Sequence, residues 1–141
     1  MMKEILRNTL AAMAGALTGI VLISAAQLVS AMIYPIPAGV DRHDAQAMGQ
    51  FIRSLPLPAM FLVLGGYFVG VCGGAWVAGR LSFTAPGRQV FMVTGLFLIA
   101  SVMNLTSFPH PPWFWVANLG AVLYGGWLAR KWQPQRGAAQ G

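Results

Sequence analysis

The chain has 141 residues, of which 57% are hydrophobic and 9% charged, with a formal net charge of +6. An average soluble domain carries about 25% charged residues, so a soluble fold of this size cannot hide the apolar surface and lipid is the expected solvent. The basic residues flank apolar segments instead of forming a patch, which excludes a nucleic-acid-binding domain. The single cysteine, Cys72, excludes an internal disulfide and a cysteine-based zinc site.

Three long stretches carry no formal charge, namely Asn8 to Val40, Ser54 to Gly79, and Gln89 to Ala129. The third is broken by the prolines at 109, 111 and 112, so the stretches hold four apolar segments, and a transmembrane helix needs about 20 such residues. The sequence therefore predicts an all-α fold, a single-domain membrane four-helix bundle with spans Thr9–Tyr34, Ala59–Gly79, Val90–Phe108 and Trp113–Ala129.

The first apolar run exceeds the roughly 7–15 residues of a signal-peptide core, so we interpret it as a retained span, with cleavage near Ala26 as the minor alternative.

The last span is about 25 Å long at 1.5 Å per residue, close to the lower limit for crossing. Tryptophans at both of its ends suit interfacial anchoring: Trp113, Trp115, Trp127 and Trp132.

The loop 35–58 is predicted to contain a short helix. Asp44 is a favoured cap residue, and apolar side chains follow at helical spacing up to Ser54 and beyond: Met48, Phe51, Ile52 and Leu55. Two placements of this helix are equally open. It either lies flat in the outer membrane interface or packs on the mouth of the bundle.

The basic residues predict the orientation of the chain. Seven fall on the side of the two termini: Lys3, Arg7, Arg80, Arg88, Arg130, Lys131 and Arg136. The opposite side has only Arg42 and Arg53. Because Lys and Arg accumulate in cytoplasmic loops, we expect a bacterial inner (cytoplasmic) membrane protein with both termini in the cytoplasm.

Small residues recur every four positions within the spans. The clearest members are Gly15 and Gly19 in the first span, Gly66, Gly70, Gly74 and Ala78 in the second, and Gly125 in the fourth. This spacing lets helix backbones approach closely in lipid. We favour packing inside one chain, and the alternative is self-association or docking onto a larger membrane complex.

A few polar side chains lie in the outer half of the spans: Gln27, Ser101, Asn104 and Asn118. Their simplest role is hydrogen bonding between helices, worth about 0.6 kcal/mol on average. The alternative is that these four residues form a shallow ligand-binding pocket for a neutral solute or a lipid headgroup.

No Asp, Glu, Lys or Arg lies within a span, and ion-coupled carriers need an intramembrane ionisable group. The small multidrug-resistance exporters have such a glutamate in their first helix, where this chain has only Thr18, Ser24 and Gln27. In the outer loop, Asp41, His43 and Asp44 have the wrong spacing for a metal site, and Arg42 between them repels a cation.

These observations predict no catalytic residue, no metal and no cofactor. We expect a non-enzymatic multi-pass protein that acts as an accessory, scaffold or self-associating subunit. Its expected partners are the lipid bilayer, itself or a larger membrane complex, and not nucleic acid. The alternative is a small oligomeric carrier or channel for a neutral or weakly polar solute.

Overall fold

The computed structural model describes residues 1–134, and over that range it is all-helical, with 81% of residues in helices and no strand. The five helices are α1 (Met2–Ile33), α2 (Ala45–Ser54), α3 (Leu57–Leu81), α4 (Pro86–Ser107) and α5 (Pro112–Lys131). Helices α1, α3 and α4 are long and apolar enough to cross a membrane, whereas α5 is not among them. To that extent the prediction of an all-helical membrane protein is confirmed.

Prolines lie inside the first turns of the long helices. Pro58, Pro86 and Pro112 each occupy one of the first two helical positions of α3, α4 and α5. The first-turn N–H groups have no partner within a helix, so proline is tolerated there. As a result α4 begins at Pro86, ahead of the predicted span start at Val90, and the other two begin at or before their prolines.

Helix α3 occupies the centre of the molecule. It packs against α1, α4 and α5, and α4 also contacts both α1 and α5. An inner core of nine buried residues includes Val71, Val93 and Val122. A smaller outer core consists of Met60, Leu64, Leu105 and Phe114.

The closest helix contact is a line of glycines between α1 and α3, which we call the α1–α3 seam: Gly15, Gly19, Gly70 and Gly74. A methyl group on Gly74 would lie 2.5 Å from the Gly15 carbonyl oxygen and 3.0 Å from the Gly19 amide nitrogen. A methyl group on Gly15 would overlap Ala78. The two backbones are therefore in direct contact.

The remaining glycines of the predicted set also face neighbouring helices. A side chain on Gly66 would overlap Ala26 of α1, and one on Gly125 would lie 3.0 Å from the Phe68 carbonyl oxygen of α3. The structure thus brings all the predicted packing residues into contacts within one chain. Their part in self-association stays a prediction.

Helix α2 has the predicted cap and the predicted end. The Asp44 carboxylate accepts hydrogen bonds from the Gln46 N–H at 2.8 Å and the Ala47 N–H at 3.3 Å, and the helix ends at Ser54. A side chain on Gly49 would overlap the ring of Pro109, so α2 lies against the α4–α5 turn. Of the two placements considered, this contact favours the helix packed on the ends of the others.

Candidate ligand site at the outer end

A pocket of about 250 Å³ lies at the end of the molecule that carries α2, which we call the outer end. Its walls come from all five helices and from the α4–α5 turn. One wall consists of the four apolar residues that were predicted to share a face of α2: Met48, Phe51, Ile52 and Leu55. Helix α2 therefore covers the outer ends of the long helices with its apolar side.

Helix α1 supplies three polar residues to this outer pocket, Gln27, Ser30 and Tyr34. They are spaced by three and four positions, which places them on one face of the helix. Ser30 is buried at 9% exposure, Tyr34 is half-buried and Gln27 is exposed. Gln27 therefore reaches the pocket from its rim.

Asn104 of α4, which also lines the pocket, is held by a tyrosine of α3. Its Nδ2 donates a hydrogen bond to the Tyr67 hydroxyl at 3.2 Å. Tyr67 is 6% exposed and belongs to the inner core. An anchored phenol thus fixes the amide where the outer pocket meets the inner core.

The α4–α5 turn contributes His110. Its Nδ1 lies 2.8 Å from the Phe108 carbonyl oxygen, and because a carbonyl only accepts, this nitrogen carries the hydrogen. In the neutral ring Nε2 is then an acceptor. The ring also stacks on Phe114 with centroids 5.1 Å apart, so its position beside the pocket is fixed from two directions.

The structure separates the four predicted ligand residues into two pairs. Gln27 and Asn104 line the same pocket, whereas Ser101 and Asn118 do not line it. Ser101 is 0% and Asn118 is 1% exposed, and within residues 1–134 their side-chain polar atoms have no hydrogen-bond partner. Their role as ligand residues stays a prediction.

Four polar residues of this region were not predicted from the sequence: Ser30, Tyr34, Tyr67 and His110. The helical spacing of Ser30 and Tyr34 from Gln27 would have placed these two residues on the same face as Gln27. His110 lies among the prolines that break the third apolar stretch, and its position in the sequence does not pair it with the polar residues of the helices. Tyr67 lies within the run of small residues in α3, and no local signal there pairs it with Asn104.

The outer pocket combines apolar walls with uncharged polar groups. Among the described residues that line it, none is Asp, Glu, Lys or Arg. Amide, hydroxyl and imidazole groups on hydrophobic walls fit a neutral, weakly polar molecule better than an ion. The arrangement therefore offers groups that can bind such a molecule.

The two aspartates of the outer loop make local contacts of their own. Asp41 Oδ1 accepts a hydrogen bond from the His43 N–H at 2.9 Å, and Asp44 caps α2. Within residues 1–134 no group of three or more His, Cys, Asp or Glu is placed to hold a metal ion. Both aspartates thus have local structural roles.

Comparisons of the chain with protein-family models, with curated proteins and with solved structures find no match.

Proposed function

We propose that the chain is a non-enzymatic, multi-pass inner-membrane protein in which α1, α3, α4 and α5 form a four-helix bundle. It acts as an accessory or scaffold subunit, through a larger membrane complex or through copies of itself. The observation that carries this proposal is the packed interior between the two ends of the molecule, which is apolar apart from the buried Ser101 and Asn118.

Two features close that interior. Along the α1–α3 seam the backbones touch, with the Gly19 carbonyl oxygen 3.0 Å from where a methyl group on Gly70 would lie. Beside the seam, Val71, Val93 and Val122 are 0–2% exposed and wholly apolar. A carrier or channel needs polar groups along its route, whereas an accessory subunit does not.

The exposed faces of the helices support a membrane location for this subunit. Large apolar side chains are more than half exposed along α1, and the same holds for α4: Leu17, Val21, Leu28, Phe91 and Ile99 are examples. In water such surfaces cost free energy, whereas acyl chains cover them without cost.

We propose further that both termini are cytoplasmic. Asn8 near the start of α1 donates to Thr84 in the α3–α4 turn at 2.8 Å. Gln133 after α5 donates to the Trp76 carbonyl of α3 at 3.1 Å. These bonds hold the start of α1, the α3–α4 turn and the end of α5 at the same end of the molecule. Six of the seven basic residues counted on the terminal side flank these elements, and the seventh, Arg136, lies outside the described residues.

Reporter fusions test the orientation. An alkaline phosphatase fused at Gly49 is expected to be active, and one fused after Arg136 inactive, because the enzyme matures only outside the cytoplasm. The reverse pattern would overturn the assignment.

Reconstitution tests the function. Liposomes that contain the protein are expected to swell in glycerol or urea no faster than empty liposomes. In mild detergent the protein is expected to run as an oligomer or a stable complex above its own mass of 15.1 kDa. Faster swelling, or a lone monomer, would contradict the accessory proposal.

The outer pocket favours a second candidate, a small carrier for a neutral solute. Gln27 of α1 and Asn104 of α4 line this pocket and supply the amides that such a solute requires. If liposomes with the protein swell faster, Asn104→Leu is expected to slow them, while Gly65→Leu, on an open lipid-facing position, is expected to leave them unchanged.

A further inference from the structure

A second polar pocket lies at the end opposite α2, which we call the inner end, between the start of α1 and the start of α4. Its volume is about 210 Å³, far above the ~10–15 Å³ that one water needs. Glu4, Asn8 and Thr9 form the α1 wall, and Thr84, Arg88 and Gln89 form the other polar wall. Ile5 and Met92 add an apolar side.

Hydrogen bonds to one asparagine hold these walls together. The Asn8 amide donates to Thr84 Oγ1 at 2.8 Å and accepts from the Ser82 hydroxyl and the Phe83 N–H, each at 3.1 Å. The Arg7 guanidinium also lies 4.2 Å from the centre of the Phe83 ring. These contacts therefore hold the walls of the inner pocket in place, although the pocket lies at the surface of the molecule.

Gln89 carries an unsatisfied acceptor. The residue is 3% exposed and lines the inner pocket, and within residues 1–134 its Oε1 has no hydrogen-bond partner. A buried amide oxygen without a partner is unfavourable. A ligand that donates an N–H would satisfy it.

The charges at the inner pocket are mixed. Glu4 brings one negative charge and Arg88 one positive charge, and both side chains are exposed at the mouth. The N-terminal turn of α4 adds a partial positive charge, which also favours an anion. A complementary ligand therefore bears an ammonium and a phosphate, that is, a zwitterion.

The position of the inner pocket favours a lipid as its ligand. It lies where α1 and α4 pass from charged residues into their apolar runs, which is the level of the headgroups if these helices span the bilayer. Ile5 and Met92 lie beside the polar groups, so acyl chains can leave the pocket along an apolar surface. Basic sites between helices at this level bind lipid headgroups in other membrane proteins.

We propose that the inner pocket binds the headgroup of a phosphatidylethanolamine-type lipid. The ammonium donates to the Glu4 carboxylate and to Gln89 Oε1, and the phosphate pairs with Arg88. A choline headgroup has no N–H to donate, and a glycerol headgroup has no cation for Glu4. The proposal rests on the membrane-spanning arrangement proposed above and not on the accessory role.

The test is lipid titration of the full-length protein in detergent, with bound lipid counted by native mass spectrometry. Phosphatidylethanolamine is expected to bind at least tenfold better than phosphatidylcholine or phosphatidylglycerol with the same acyl chains. Gln89→Leu is expected to lower ethanolamine-lipid binding at least fivefold and to leave choline-lipid binding unchanged, whereas Glu4→Gln is expected to weaken binding of both lipids, because choline also carries a positive charge. Arg88→Gln is expected to weaken both.

Matched controls lie in the outer loop. Asp41→Asn and Arg42→Gln remove the same charges from the opposite end and are expected to change no lipid affinity. Equal binding of the ethanolamine and choline lipids by the unaltered protein would overturn the proposal, and this comparison depends on no variant being folded. Stronger binding of the glycerol lipid would overturn it as well.

Two further measurements separate neighbouring explanations. Displacement of the lipid by an equal concentration of soluble phosphoethanolamine would identify a soluble phosphoester as the ligand and overturn the lipid assignment. Extraction of the protein from membranes by alkaline carbonate would refute the membrane-spanning arrangement itself. Carbonate resistance together with no headgroup preference would refute only the headgroup site.

Discussion

The α1–α3 seam and the outer pocket are formed in part by the same two helices, yet one is closed and the other open. At the seam, Gly15 and Gly19 of α1 let the α3 backbone approach to contact. Farther along the same helix, Ala26 still meets Gly66, and beyond it Gln27, Ser30 and Tyr34 border a pocket. Side-chain size along the helix therefore decides where the molecule is sealed.

The two regions also differ in what holds them together. The seam depends on van der Waals contact between backbones, which is the main source of helix association in lipid. The outer pocket depends on single polar contacts, such as the bond from Asn104 to the Tyr67 hydroxyl at 3.2 Å. Substitutions at the seam should therefore have larger effects on stability than substitutions at the pocket.

The largest effect is expected from Gly74→Leu. The new side chain would meet the Gly15 carbonyl oxygen, 2.5 Å from its Cβ, and rigid backbone cannot yield as a flexible side chain does. We expect a loss of about 3 kcal/mol in the free energy of unfolding, measured by thermal or SDS denaturation in detergent.

The matched control for the seam is Gly65→Leu. It lies on the same helix, and nothing lies within 4 Å of the added Cβ. It is expected to leave the melting temperature unchanged. Equal destabilisation by both variants would show that added bulk anywhere on α3, and not the close contact at the seam, is responsible.

A smaller effect of opposite sign is expected at Asn118, which lies in neither region. Its amide is 1% exposed and both of its polar atoms lack partners within residues 1–134. Replacement by Leu, of similar shape, removes an unsatisfied group whose burial costs about 1–3 kcal/mol. We therefore expect Asn118→Leu to raise the melting temperature.

The comparison variant is Asn104→Leu, the same substitution at the outer pocket. It removes the hydrogen bond to Tyr67 and is expected to cost about 0.6 kcal/mol. A destabilising Asn118→Leu would contradict the assignment of an unpartnered amide. It would point to a ligand or partner that satisfies Asn118.

The bond between Asn104 and Tyr67 is tested alone by a double-mutant cycle. Tyr67→Phe removes only the hydroxyl and is expected to destabilise by about 0.6 kcal/mol. Combined with Asn104→Leu it should add nothing further, because both variants break the same bond. Additive losses would mean that each group has a different partner.

The smallest effect on the stability of the whole molecule is expected at α2, which covers the outer pocket. Asp44→Ala removes the cap of α2, which is worth about 1 kcal/mol of local helix stability. Amide exchange within 45–54 should accelerate, while exchange along the seam should not change. Faster exchange at both sites would contradict the separation of the two regions.

Local patterns determined much of this protein. The apolar segments predicted the helices because a membrane requires every backbone group to be bonded within its own segment. Asp44 predicted the cap of α2, since capping depends on residues only two and three positions away. The spacing of Gly66, Gly70 and Gly74 predicted a close helix contact for the same reason of locality.

Tertiary packing decided which of those local features meet. The sequence placed Gln27, Asn104 and Asn118 at similar depth, but the rotation of each helix about its axis put Gln27 and Asn104 at a pocket and Asn118 in the interior. The sequence also left open what the apolar side of α2 packs against, because its periodicity fits both lipid and protein. The contact of Gly49 with Pro109 places α2 on the ends of the other helices. The depth of a residue along its helix follows from its position in the sequence, whereas the direction in which its side chain faces depends on all the neighbouring helices.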